Sequence, residues 1–191
     1  DIGVTGVQTC ALPIYMLSAF DSAKYFCESM NTAINFESDL ALLNHAVKVS
    51  RGVDGQILEF GVASGRTINY ISSLVEQRVY GFDAFTGLPE TWRTGFSAGI
   101  FGRQDLPQVN CNVELVIGLF EDTLDEFLEI SPQKISLLHI DCDLYSSTKT
   151  ILTKLGDLIG EGTVIVFDEY FNYPGWRLHE FKAFQEFVVE R

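Results

Sequence analysis

Positive charge is scarce in this sequence. Its 191 residues include 13 Lys and Arg against 26 Asp and Glu, with three His, for a formal charge of −13. Such a surface is a poor partner for nucleic-acid phosphates or an anionic membrane, and no basic stripe with interleaved aromatic residues offsets it. Cysteine is scarce as well. Cys10, Cys27, Cys111 and Cys142 show no CxxC spacing, which argues against zinc and fits a reducing, cytoplasmic setting. No apolar run approaches the length of a membrane span. Internal repeats and low-complexity segments are missing too. So are two fingerprints of phosphate binding, GxGxxG and a glycine loop ending in GKS or GKT.

What is present is an apolar chain, 47% hydrophobic with 15 Phe, long enough for one α/β domain with a sizeable core. The first fourteen residues, DIGVTGVQTCALPI, have no clear period. Residues 4–14 resemble a translated sequencing adapter, and we set 1–14 aside as an artefactual or disordered leader. Residues 15–55 read as a helical cover. In it, Phe20, Ala23, Tyr25, Phe26 and Met30 make one apolar stripe, and a clearer helix runs over 37–50 with Ser38 or Asp39 as its cap.

The domain proper, 56–191, is organised around QILEFGVASGRT at 56–67: a strand, a tight turn with Gly61 and Gly65, then a helix expected over 67–77. Further strands are expected at 79–82, 113–117, 135–140 and 163–167, with helices over 122–130, 146–159 and from 176 or 177 onward. The alternation predicts an α/β fold: a doubly wound, mainly parallel sheet with helices on both faces. Residues 84–112 form a long aromatic-rich loop, read as a lid or pocket wall.

In such a sheet a ligand sits at the carboxyl ends of the strands. The two-glycine turn alone is equally an ordinary strand–helix turn. Glu59, at the end of the first strand, suits a cationic ligand group. Asp83 ends the second strand, where a carboxylate can accept both hydroxyls of a ribose; the alternative is an exposed loop acid. Glu121, after the third strand, is placed to reach an adenine amino group. Asp141 and Asp143 follow the fourth strand, and Asp168 and Glu169 the fifth. Gathered at one edge, these four acids would raise each other's pKa, and a hard cation such as Mg²⁺ would relieve the repulsion. Asp141, Asp168 and Glu169 are the expected metal ligands. The alternative is that Asp141 caps a helix and Asp168 faces solvent. A divalent ion there would activate a substrate hydroxyl toward an electrophilic methyl group.

Five segments in order, EFGVASGRT (59–67), GFDAFTGLPE (81–90), VIGLFEDTL (116–124), LHIDCDLYSST (138–148) and VIVFDEY (164–170), resemble the class I S-adenosylmethionine-dependent methyltransferases. More narrowly they resemble the macrocin O-methyltransferase group, which methylates sugar hydroxyls. The resemblance implies a Rossmann-like methyltransferase fold and S-adenosyl-L-methionine bound by Glu59, Gly61, Ala63, Ser64, Gly65, Asp83, Phe120, Glu121 and Asp141. It also implies Mg²⁺ or another divalent cation, and a hydroxylated small-molecule or sugar-containing acceptor. Relatives carry an Asp or Asn where Glu169 stands, a catalytic His before the fourth strand that this sequence lacks, and two more strands beyond the last helix, so C-terminal strands are expected to be missing. Asp141, Asp143 and His179 are the candidates for the catalytic role, and Arg177 for binding an anionic acceptor. A homo-oligomer is compatible with all of this. Two other readings remain: a metal-dependent nucleotide-sugar glycosyltransferase using Asp141–Asp143 as its DxD, and a non-catalytic cofactor-binding subunit.

Overall fold

The computed structural model describes the backbone of residues 5–191 and side chains from Pro13 onward; Cys10 and most of the leader side chains lie outside it. The backbone of 5–14 continues into one helix with 15–29. The described elements are α1 (Thr5–Ser29), α2 (Asp39–Ser50), β1 (Gln56–Phe60), α3 (Arg66–Ser73), β2 (Val79–Asp83), β3 (Val113–Ile117), α4 (Phe120–Ile130), β4 (Ile135–Ile140), α5 (Tyr145–Leu155), β5 (Val164–Phe167) and α6 (Glu180–Glu190), with short 3₁₀ turns at Gly156–Leu158 and Trp176–Leu178.

All five strands are parallel, in the order β3-β2-β1-β4-β5. This is the expected doubly wound sheet. β1 and β4 are buried along their whole length, as strands covered on both faces must be. On one face Ile57, Val62, Ile68, Ile71 and Leu137 pack with Leu43 and Val47 of α2. On the other, Leu58, Phe60, Phe82 and Ile140 pack with Leu124, Ile151, Leu155 and Ala183 of α4, α5 and α6. Phe60 stacks on Phe82 with ring centroids 4.5 Å apart and meets Phe120 edge-on at 5.1 Å, so part of the phenylalanine excess is an aromatic layer under the carboxyl edge.

Two helices depart from expectation. α3 stops at Ser73 instead of continuing to 77. The Asn112 amide donates to the carbonyls of Ser72, Val75 and Gln77 at 3.0, 3.1 and 3.2 Å, so a side chain from before β3 takes bonds that further helix would have supplied. In α1 the packed face takes only part of the apolar stripe: Tyr25 packs against Trp176 and Phe181, but Phe20 is 69% exposed while Ser18 and Ser22 are buried. Small serines allow close approach, and the Asn172 amide donates to Ser22 Oγ at 2.9 Å. α2 starts as expected, with the Ala41 amide donating to Ser38 Oγ at 3.2 Å. Among the described residues no helix is long and apolar enough to cross a membrane.

Candidate active site

The ladder hydrogen bonds run one step past the strand ends. The Gly61 amide donates to Phe82 O at 2.9 Å, Asp141 to Phe60 O at 2.8 Å and Asp168 to Ile140 O at 3.0 Å. Gly61, Asp141 and Asp168 therefore sit in a row on the carboxyl edge, at the switch between β1 and β4. Gly61 has φ +94°, and a Cβ there would fall onto the carbonyl oxygen of Asp141. Only glycine lets the turn after β1 pass so near the turn after β4.

Above this row lies a cavity of about 410 Å³. Gly61, Ala63 and Asp83 line one part of it, with Phe120 and Glu121 from the first turn of α4. Asp141, Asp143, Asp168 and Glu169 line another, and Leu88, Trp92, Arg93, Phe96 and Phe101 of the 84–112 segment close it. That segment is the expected wall. It is ordered by cross-bonds, Leu88 N to Ile100 O at 3.0 Å and Arg103 N to Phe85 O at 2.8 Å. At its far end the Asn69 amide donates to Gln108 O at 2.9 Å, tying it to α3.

Asp83 does more than face the cavity. Its Oδ2 accepts the amides of Val62 and Ala63 at 2.9 and 2.8 Å, and Oδ1 accepts the Phe85 amide at 2.7 Å. A carboxylate offers about four lone-pair sites, so three are spent on the backbone. Asp83 braces the glycine turn and keeps one acceptor position on Oδ1.

Five other candidates stand outside the cavity lining. Glu59 is fully buried and does not line the cavity. It accepts from Thr67 Oγ1 at 3.0 Å and pairs with His139 Nδ1 at 2.8 Å. Its strand position points it under the turn, toward the start of α3. Burial of the His139 ring works against its charge, but the Glu59 carboxylate outweighs that and holds the pKa above the ordinary imidazole value. His179 also does not line the cavity; its ring stands edge-on to Trp92, 6.1 Å between centroids, and burial lowers its pKa. Arg177 is paired with Asp21, Nε and Nη2 at 2.8 and 3.0 Å, and so is committed to holding α1. Ser64 and Gly65 lie in the turn but outside the cavity lining; Gly65 is the left-handed residue that starts α3.

The acids of the other half crowd one another. Burial and the Asp168 charge push Asp141 up to about 8, against an ordinary 3.8. Burial and the Glu169 and Asp168 charges push Asp143 up to about 7. Burial and then Asp168 raise Glu169. Still, among the described residues no three His, Cys, Asp or Glu side chains form a group that could hold a metal ion. The expected ligand set Asp141, Asp168 and Glu169 lies along one edge but is not gathered into a coordinating group. Cys142, between the two aspartates, is buried, and its thiol is pushed well above the usual range, chiefly by burial.

Sequence reasoning missed Glu180. Fully buried, it accepts the amides of Cys142 and Asp143 through Oε1 at 3.3 and 3.2 Å. It thereby holds Asp143 in a left-handed conformation, φ 64°. Arg93 was missed too, although it stands beside Trp92 in the wall. Of the aromatic candidates, Trp92 lines the cavity, Trp176 is core against Tyr25 and Phe181, and Tyr145 donates to Glu186 away from the cavity.

Known proteins bear on this arrangement. A protein-family model described as a methyltransferase domain matches residues 58–170. The fold is similar to the crystal structure of CalS11, a calicheamicin methyltransferase, at TM-score 0.67 and 22% identity over 97% of this chain and 84% of that one. The apo structure of CalS11, described as a TDP-rhamnose 3'-O-methyltransferase, gives 0.60 and 24% over 85% and 76%. The O-methyltransferase NovP gives 0.59 and 21% over 79% and 71%. No protein of curated function matches by sequence. The family match contains the glycine turn, Asp83 and both acidic strand ends, and covers more than half of the chain: the protein belongs to this methyltransferase domain family, the S-adenosylmethionine-dependent enzymes of Rossmann-like fold.

Proposed function

We propose that the chain transfers the methyl group of S-adenosylmethionine to a hydroxyl of a small molecule or sugar-containing natural product. The observation that carries this reading is the divided cavity, with a glycine turn, Asp83 and Glu121 on one side and Asp141, Asp143, Asp168 and Glu169 on the other. The first side suits a nucleoside that needs no diphosphate cradle. The second suits a hydroxyl that must lose a proton. CalS11 carries the description TDP-rhamnose 3'-O-methyltransferase, and a sugar bearing a nucleoside diphosphate is therefore the first acceptor class to try.

In this reading Asp83 fixes the turn beside the cofactor and offers its remaining lone pair to a ribose hydroxyl. Phe120 and Glu121 border the adenine. Asp143 is the proposed base: it lines the cavity, and a pKa of about 7 matches proton removal near neutral pH. Asp141, pushed up to about 8, is the second candidate. In-line approach to a sulfonium methyl needs little beyond positioning, so the wall segment would supply much of the rate by excluding water and orienting the acceptor.

Divalent-metal assistance is part of the proposal. Asp141, Asp168 and Glu169 would hold Mg²⁺ through oxygen donors, and the raised pKa values of Asp141 and Glu169 are the support for it. When bound, the ion would polarise the acceptor hydroxyl. A cytoplasmic location is also proposed, resting on the free Cys27, Cys111 and Cys142.

The test is a calorimetric titration with S-adenosylmethionine, with and without Mg²⁺, beside a methyl-transfer screen that includes TDP-rhamnose. Cofactor binding with Mg²⁺-stimulated transfer is expected. Unchanged turnover in Asp141→Ala and Asp168→Ala would remove the metal from the mechanism. Cofactor binding without transfer to any hydroxyl would favour the non-catalytic subunit. The family membership already disfavours the glycosyltransferase reading.

A further inference from the structure

Arg93 is the single basic residue among those lining the cavity, beside six acids: Asp83, Glu121, Asp141, Asp143, Asp168 and Glu169. In a chain of net charge −13 most guanidinium groups have a carboxylate nearby. Arg66, Arg78, Arg177 and Arg191 each have one within 4.0 Å. Among the described residues Arg51, Arg103 and Arg93 have none, and of these three the cavity is lined by Arg93. Its guanidinium carbon lies 4.3 Å from the Trp92 ring centroid, 4.0 Å from that of Phe96 and 5.5 Å from that of Tyr173. One hydrogen bond leaves it, a long one of 3.4 Å from Nη1 to the Tyr15 hydroxyl, and its buried Nε has no acceptor.

The backbone makes this placement rigid. Arg93 and Phe96 form an isolated bridge, with the Phe96 amide donating to Arg93 O at 2.8 Å and the Trp92 amide to Phe96 O at 3.0 Å. A tight turn thus sets both aromatic rings against the guanidinium. Stacking fixes the plane of the fork while leaving N–H donors free, an arrangement suited to two parallel bonds to a carboxylate or phosphate.

We propose that Arg93 binds an anionic group carried by the methyl acceptor, a carboxylate or a phosphate, so that the acceptor spans from the aromatic wall to the acidic edge with its hydroxyl at the edge. The inference rests on the reading of the cavity as a methyltransferase site. It assigns to Arg93 the acceptor-binding role that the paired Arg177 does not fill.

The test titrates three probes calorimetrically into the full chain, with and without saturating S-adenosylhomocysteine: TDP-rhamnose for phosphate, glucuronate for carboxylate and methyl rhamnoside as the neutral reference. At least one anionic probe is expected to bind more tightly than the neutral one. Arg93→Gln is expected to cut that affinity about tenfold or more, as for loss of a charge-assisted bond, with Arg93→Lys retaining part and both variants still binding S-adenosylhomocysteine. Equal binding of anionic and neutral probes, no binding of either anion, or an anion preference that survives in Arg93→Gln overturns the proposal. A chain that fails to bind S-adenosylhomocysteine yet shows the Arg93-dependent anion preference would overturn the cofactor reading alone.

Discussion

Oδ2 of Asp83 lies 2.8 Å from the amide nitrogen of Ala63, which couples the end of β2 to the turn after β1. Ala63 itself has φ 43°, a conformation that an alanine holds only where its surroundings fix it. Asp83→Asn would set a side-chain NH₂ or a weaker carbonyl against two amides. We expect S-adenosylmethionine affinity to fall about tenfold or more, measured by calorimetry, with Asp83→Ala at least as severe. Unaltered affinity in both would separate the turn from cofactor binding.

Gly61 makes a second prediction. Gly61→Ala meets the Asp141 carbonyl and carries a left-handed backbone penalty together. A loss of about 3 kcal/mol or more is expected, read as a lower urea midpoint, whereas Gly95→Ala, with open space around its Cβ position, should pay only the backbone penalty.

The buried Glu59–His139 pair predicts a stability effect with no direct effect on ligand contacts. Glu59→Ala leaves His139 and the Thr67 hydroxyl without their carboxylate inside the core, and about 3–5 kcal/mol is the usual cost of breaking such a pair. Chemical denaturation checks it. A loss below about 1 kcal/mol would mean that the pair is solvated or dispensable.

Stability should fall as pH rises. Asp141, Asp143 and His139 all have folded pKa values above their ordinary ones, so the folded state binds more protons than the unfolded one between the two values. Their contribution is fully present below the unfolded pKa and is lost as pH passes the folded one. For Asp141 that window runs from 3.8 to about 8, and for Asp143 from 3.8 to about 7. The ligand-free protein should melt at a higher temperature at the acid end of the window than at its alkaline end, and Asp141→Asn should flatten the slope. A melting temperature that climbs across that window would contradict the assignment.

The strands were legible because their cues are local. Gln56–Phe60, Val113–Ile117 and Ile135–Ile140 are bounded by glycine, asparagine or acidic residues and filled with apolar ones, and they appear at those residues. The row of Asp83, Asp141, Asp143, Asp168 and Glu169 was legible for the same reason, since each follows a strand that a parallel sheet points one way. What failed depends on contacts made across the chain. Nothing near Glu59 in the sequence announces His139 as its neighbour in β4. Arg177 looked available because Asp21 is remote in sequence. Glu180 reads as an ordinary helix N-terminal acid, and only the packing of α6 on α5 carries it to the Cys142 amide.

That last arrangement has a mechanical side. The loop bearing Asp143 is held from outside the sheet, by an acid at the very start of the final helix. Warming that loosens this helix would release the loop while the strands stay paired, so turnover should decay before circular dichroism registers any loss of strand. Inactivation and unfolding would then be two events in this molecule, separated by the grip of one carboxylate.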